Sequence, residues 1–285
     1  MSHDTLVGIR LCSNLAMVSF ALLAGGCQTA PSEDAPQAVG GSGEEATTMV
    51  AAPASTEPLE RMSLPIEGTS VELELIPVRC EDGREVYVSD TEITWDLYDA
   101  FIFNLDTDAG ASTAESDAVT RPSKPYVLVD RGYGHAGFAA LSISPKAAEQ
   151  LVEWLVVKTG RRFRIPTEAE MAHLLATSGA DGTDARLVHG WFEENSDYTT
   201  RKVGSRPVDA NGLHDLWGNV SEYAIAEDGS YVVMGGSFID PVEDVGLSYR
   251  KAFTPDWNAD DPQIPKSPWW LASNDWVGLR VVCDP

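Results

Sequence analysis

Asn211-Gly212-Leu213-His214-Asp215-Leu216-Trp217-Gly218-Asn219-Val220-Ser221-Glu222-Tyr223 decides how this chain is to be read. Glycines, asparagines and an aspartate punctuate short apolar runs, so the stretch reads as turns and close chain approaches rather than a helix. Gly235-Gly236-Ser237-Phe238 and Val277-Gly278-Leu279-Arg280-Val281-Val282 follow with the same character. From Ser178 onward the chain is rich in Gly, Asn, Asp, Pro and Trp, and loops are expected to dominate.

Upstream the signals are more regular. Ser144-Pro145 reads as an N-cap and a first-turn proline. Ala148, Leu151, Val152, Leu155 and Val156 then form an apolar stripe, and Gly160 is placed to end the helix. Arg164-Ile165-Pro166-Thr167-Glu168-Ala169-Glu170 reads as a strand end, a proline and a capping box between Thr167 and Glu170. Thr94 is expected to open a helix with Leu97, Phe101 and Leu105 on one face. Val71 to Val78 alternates as a strand, and Glu85 to Val88 is expected to form a second.

Taken in order, these motifs resemble the formylglycine-generating enzyme (sulfatase-modifying factor) family. Thr91-Glu92-Ile93-Thr94 resembles the family's Glu-Val-Thr before its first helix, and the resemblance spans about Val71 to Val282. It implies an α+β, C-type-lectin-like fold: a single loop-rich domain with little regular secondary structure, over residues 67–285.

Function has to be argued from the site, because this fold hosts oxidases, subunits of iron-dependent sulfoxide synthases and noncatalytic modules. Formylglycine-generating enzymes hold copper(I) on a cysteine pair soon after Gly-Gly-Ser, and soft thiolates suit that ion. The matching positions here are Asp240 and Val245, and no cysteine lies between Cys80 and Cys283. No copper is therefore expected. Ser221 and Met234 also stand where the family usually has tryptophan and arginine. The iron-dependent relatives use a His-x-x-x-His-x-Glu pattern, which the histidines at 3, 135, 173, 189 and 214 do not form.

The resemblance places a substrate or ligand cleft around Ser237, Asp240 and Arg250. Trp269 and Trp270 are candidates to line it by stacking on a sugar or peptide, with core packing as the alternative. Arg250 and Arg280 resemble family arginines of a type that pairs with carboxylates. A calcium ion is implied on Asp215, Gly218, Val220 and Glu222; the alternative is that Asp215 and Glu222 form a solvated turn or partner an arginine. Cys80 and Cys283 sit close to the first and last strands, which pair in lectin-like folds, and are expected to form a disulfide in an oxidising compartment; the alternative is two separate small apolar residues. Two functions stay open: a noncatalytic binding or scaffold module for a protein or glycan ligand, and a divergent enzyme that oxidises or modifies protein side chains. Asp240 in the cysteine position favours the first.

The setting comes from the N-terminus. Leu11 to Gly26 is uncharged, follows Arg10 and ends in small residues before Cys27, which resembles a bacterial lipoprotein signal peptide over residues 1–27. Cys27 would then carry the lipid; an ordinary secretory signal is the alternative. Residues 28–66, rich in Pro, Ala, Gly, Ser, Thr and Glu, are expected to be a flexible tether. The protein is therefore expected to be exported, on the periplasmic side of the envelope or at the cell surface, touching membrane only through its anchor. The 285-residue chain carries 44 acidic against 20 basic residues, a net charge of -24, which argues against nucleic-acid or anionic-membrane partners.

Overall fold

Alternation of apolar residues places a sheet between two cores. The computed structural model describes residues 59–106, 115, 118–125 and 128–285; the expected signal peptide, Cys27 and most of the expected tether lie outside them. A five-stranded sheet has the order β1 (Met62–Pro65), β2 (Glu72–Arg79), β3 (Glu85–Ser89), β9 (Val282–Asp284), β4 (Arg162–Arg164), and every neighbouring pair is antiparallel. Leu73, Leu75, Tyr87, Val281 and Cys283 enter one core, and Ile76, Val78, Val86, Val88 and Val282 enter the other. Odd and even positions thus face opposite ways, as a pleated strand requires.

Helices cover both faces. α1 (Trp95–Ile102) and α2 (Pro145–Thr159) pack into the first core, and α3 (Glu168–Thr177) into the second. Ser144 accepts from the Ala147 amide and Gly160 closes α2 at φ 66°, while Thr167 and Glu170 form the reciprocal box that opens α3. Short helices α4 (Thr183–His189) and α5 (Glu193–Ser196) lead to a second, four-stranded sheet of order β7 (Lys251–Ala252), β6 (Tyr231–Met234), β5 (Ser221–Ile225), β8 (Val277–Gly278). Only β5 and β8 run parallel among these pairs.

Four expectations are corrected. Two sheets and five α-helices among the described residues make a more regular framework than a loop-rich domain with little secondary structure. The folded part begins before Glu67: β1 pairs with β2, and Ile66 is buried, so the end of the expected tether belongs to the sheet. Leu105 lies past the end of α1 and is 53% exposed, because the helix stops at Ile102. Cys80 and Cys283 are both free thiols. Tyr87 pairs with Pro77 on one side and Cys283 on the other, so a whole strand separates the two cysteines. Two strand spacings, roughly 9.6 Å, exceed the ~7 Å Cα limit for a disulfide. Cys80 also packs on the second core and Cys283 in the first, on opposite faces of the sheet.

Candidate functional site

The turn after β6 builds the site. Gly236 has φ 76°, and a Cβ there would meet the Val245 methyls at 2.6 Å, so only glycine allows the approach. Val245, which the resemblance sets at the second copper-ligand position, is a buried packing residue. Four residues past Gly236, Asp240 is held at the centre of a polar cluster. Its Oδ2 accepts from Ser237 Oγ at 2.6 Å and from the Tyr249 hydroxyl at 2.9 Å, and its Oδ1 accepts from Lys251 Nζ at 2.8 Å. Lys251 Nζ also lies 4.3 Å from the Trp276 ring centroid and 5.1 Å from that of Tyr249. Burial, and then the Asp240 charge, push the Tyr249 phenol above its ordinary range, so it stays a donor.

Chemically this is a neutralised carboxylate. Both Asp240 oxygens are engaged by donors, whereas a thiolate pair would hold a soft ion. Ser237 is fully buried, Tyr249 is half-buried, and the Lys251 side chain, 38% exposed, carries the cluster's positive charge to water. Tyr249, Lys251 and Trp276 escaped the sequence reading. The signal for two of them was alternation: along the extended run into β7, residues 249 and 251 point to Asp240 and Arg250 points away.

The other proposed cleft residues are dispersed. Arg250 forms an ion pair with Glu168 at the start of α3 and does not join Asp240. Trp270 is a core residue, edge-on to Tyr98 and donating from Nε1 to the Ser123 carbonyl at 3.0 Å. Trp269 is half-buried beneath Lys146, whose Nζ sits 4.3 Å from its ring. Two hollows of about 120 and 260 Å³ lie near Glu92 and near Cys80, and neither touches the Asp240 cluster. Ser237, Asp240, Arg250, Trp269 and Trp270 therefore do not converge on one cleft.

The stretch of residues 211–223 builds a second, drier cluster. Gly218 has φ 76°, and a Cβ there would strike the Trp191 carbonyl oxygen at 2.3 Å. The turn it permits sends Asn219 to donate to Glu92 Oε1 at 2.9 Å. Arg280, fully buried, donates to both oxygens of the fully buried Glu222 at 2.9 Å and to the backbone carbonyls of Ser89, Asp90 and His214. Asp215 Oδ2 accepts from the Gly204 amide at 2.6 Å. Asp215 Oδ1 and Glu92 Oε2 are buried without a hydrogen-bond partner. Burial raises the pKa of Glu92 well above the carboxylate range, with Asp215 and Glu222 adding to the effect; burial also lifts Asp215 to about 6 and raises Glu222 despite Arg280.

This arrangement does not fit the calcium set of Asp215, Gly218, Val220 and Glu222. A cation there needs a free Glu222 carboxylate, and Arg280 occupies both of its oxygens. Among the described residues no group of three or more His, Cys, Asp or Glu side chains is placed to hold a metal ion.

No family model and no curated protein matches the sequence. Solved structures do. Treponema denticola variable protein 1 superposes with a TM-score of 0.56 at 15% identity, covering 79% of this chain and 99% of that one. PvdO from Pseudomonas aeruginosa gives a TM-score of 0.51 at 19% identity, covering 81% of this chain and 100% of that one. Both neighbours have the formylglycine-generating-enzyme-like, C-type-lectin-like fold, and this chain shares it. At these identities the likeness speaks to fold alone.

Proposed function

We propose that this protein is a noncatalytic binding or scaffold module built on the formylglycine-generating-enzyme-like fold, carried at the cell envelope by a lipid on Cys27. One observation carries the reading: Asp240 stands where the enzymes have their first cysteine, and its carboxylate is saturated by Ser237, Tyr249 and Lys251. A second supports it, since Val245 is a wedge against Gly236 with no ligating atom. Lys251 and the adjoining Trp276 face give the cluster a cationic and aromatic edge, which suits a peptide or glycan carrying acceptor oxygens.

Two experiments bear on this reading. Incubated with copper(I), oxygen and a cysteine-containing sulfatase peptide, the protein should leave the peptide mass unchanged; an aldehyde captured by hydrazide would overturn the noncatalytic assignment. Radioactive fatty acid should label the wild type and not Cys27→Ala; equal labelling of the two would remove the anchor.

A further inference from the structure

We propose an oxyanion-binding site at Arg206, outside the Asp240 cluster. The guanidinium carbon of Arg206 lies 3.8 Å from the centroid of the Trp191 ring. That indole is itself fixed. Its Nε1 donates to Ser205 Oγ at 2.9 Å, and its backbone carbonyl accepts from the Asn219 amide at 2.8 Å. The chain on the other side of the stack is fixed as well: the carbonyls of Arg206 and Pro207 face His214 Nδ1 at 2.8 Å and His189 Nδ1 at 3.1 Å.

Arg201 is the control within the same stack. It approaches Trp191 at 5.3 Å, but its Nη2 donates to Asp197 Oδ2 at 2.6 Å and to the Ser196 carbonyl at 2.7 Å. Its charge is answered. Among the described residues Arg206 makes no ion pair, its Nε is buried without an acceptor, and no acceptor is placed on its Nη1 or Nη2. In a chain with 44 acidic residues against 20 basic ones, supplying a carboxylate here would have been easy.

An arginine seated over an indole keeps its hydrogen-bond donors in the guanidinium's own plane, directed outward around the edge of the contact. A side chain already seated on the ring also loses less side-chain entropy when an acceptor arrives. The ligand that matches two parallel N–H donors is a planar or tetrahedral oxyanion: a carboxylate, a phosphate or a sulfate. A free inorganic ion and an acid group on a sugar both offer that chemistry.

The test is an NMR titration of the full chain at constant ionic strength, following the Trp191 indole N–H and the Arg206 guanidinium. Sodium phosphate, sodium sulfate and glucuronate are the three probes. The expected result is a saturable shift of both signals with at least one probe. Saturation by phosphate or sulfate points to an inorganic or ester ligand, and saturation by glucuronate alone points to an acidic sugar. R206Q should lose the response, and R206K, which keeps the charge but not the fork, should bind at least tenfold more weakly. Unchanged melting of both variants guards against misfolding. Shifts that never saturate in the wild type, or an R206Q titration equal to wild type, would overturn the site; equal affinity in R206K would overturn the two-donor geometry.

Discussion

Two carboxylate clusters sit at motif positions of this fold, and they are balanced in opposite ways. Around Asp240, one buried carboxylate meets two hydroxyl donors and an ammonium group that reaches solvent. Around Arg280, one buried guanidinium serves the neighbourhood of three buried carboxyl groups, Glu92, Asp215 and Glu222. The first cluster has a donor for each oxygen. The second has more acid than base and leaves two carboxyl oxygens unpartnered. In a dry interior such an excess is tolerated by holding protons, since an isolated buried charge costs far more than a neutral acid. The contrast separates a cluster that organises backbone, where Arg280 ties together the carbonyls of Ser89, Asp90 and His214, from one that presents charge and aromatic surface at the sheet edge.

The comparison breaks most readily at Arg280. Arg280→Met strands Glu222 in the core and releases the carbonyls of residues 89, 90 and 214, so a loss of about 3–5 kcal/mol is expected in denaturant unfolding. A loss under 1 kcal/mol would show that the pair is not structural.

The protons come next. Glu92, Asp215 and Glu222 have folded pKa values raised above their unfolded ones, so their favourable contribution is complete only below the ordinary carboxyl range of about 4 and disappears as pH rises through the folded values, about 6 for Asp215. His135 acts in the same direction. Burial opposes its charge, but Asp99 at 2.7 Å and Asp130 at 3.1 Å outweigh this and raise its pKa, while Trp95 stacks on the ring. That contribution is complete below about pH 6.5 and is lost above it. The melting temperature should therefore fall between pH 5.5 and 8, roughly the window these shifts define, and Glu92→Gln should flatten the slope. A profile that rises across this window would refute the assignment of sign.

Asp240→Asn should be milder. The amide keeps much of the shape, and Lys251 is partly solvated, so about 1 kcal/mol is expected. The smallest effect belongs to calcium. With Glu222 committed to Arg280, a chelator should leave the melting temperature where it was, and a drop on chelation would mean that Glu222 can leave its arginine.

What the sequence disclosed was local. The Ser144 cap, the Gly160 stop and the Thr167–Glu170 box are closed within a few residues, so their chemistry is written in adjacent letters. The turn at Gly218 and the approach at Gly236 were legible for the same reason. What it hid was choice of partner. Glu222 is a calcium ligand or an arginine partner until the fold brings residue 280, 58 positions away, against it. Cys80 and Cys283 both lie near strands that the resemblance pairs, and only the register shows β3 between them. Arg250 and Lys251 are adjacent and both basic, yet one holds α3 and the other Asp240, because neighbouring residues of an extended chain point to opposite sides.

The position of β9 has a kinetic corollary. It lies between β3 and β4, and Arg280, just before it, reaches the Ser89 carbonyl across 191 residues of chain. A nascent chain that has not yet delivered residues 280–284 carries two open strand edges and an acid cluster without its cation. High contact order of this kind slows folding and prolongs exposure of those edges. The domain is thus assembled by its last strand, and until that strand arrives the chain must be kept from pairing with its neighbours.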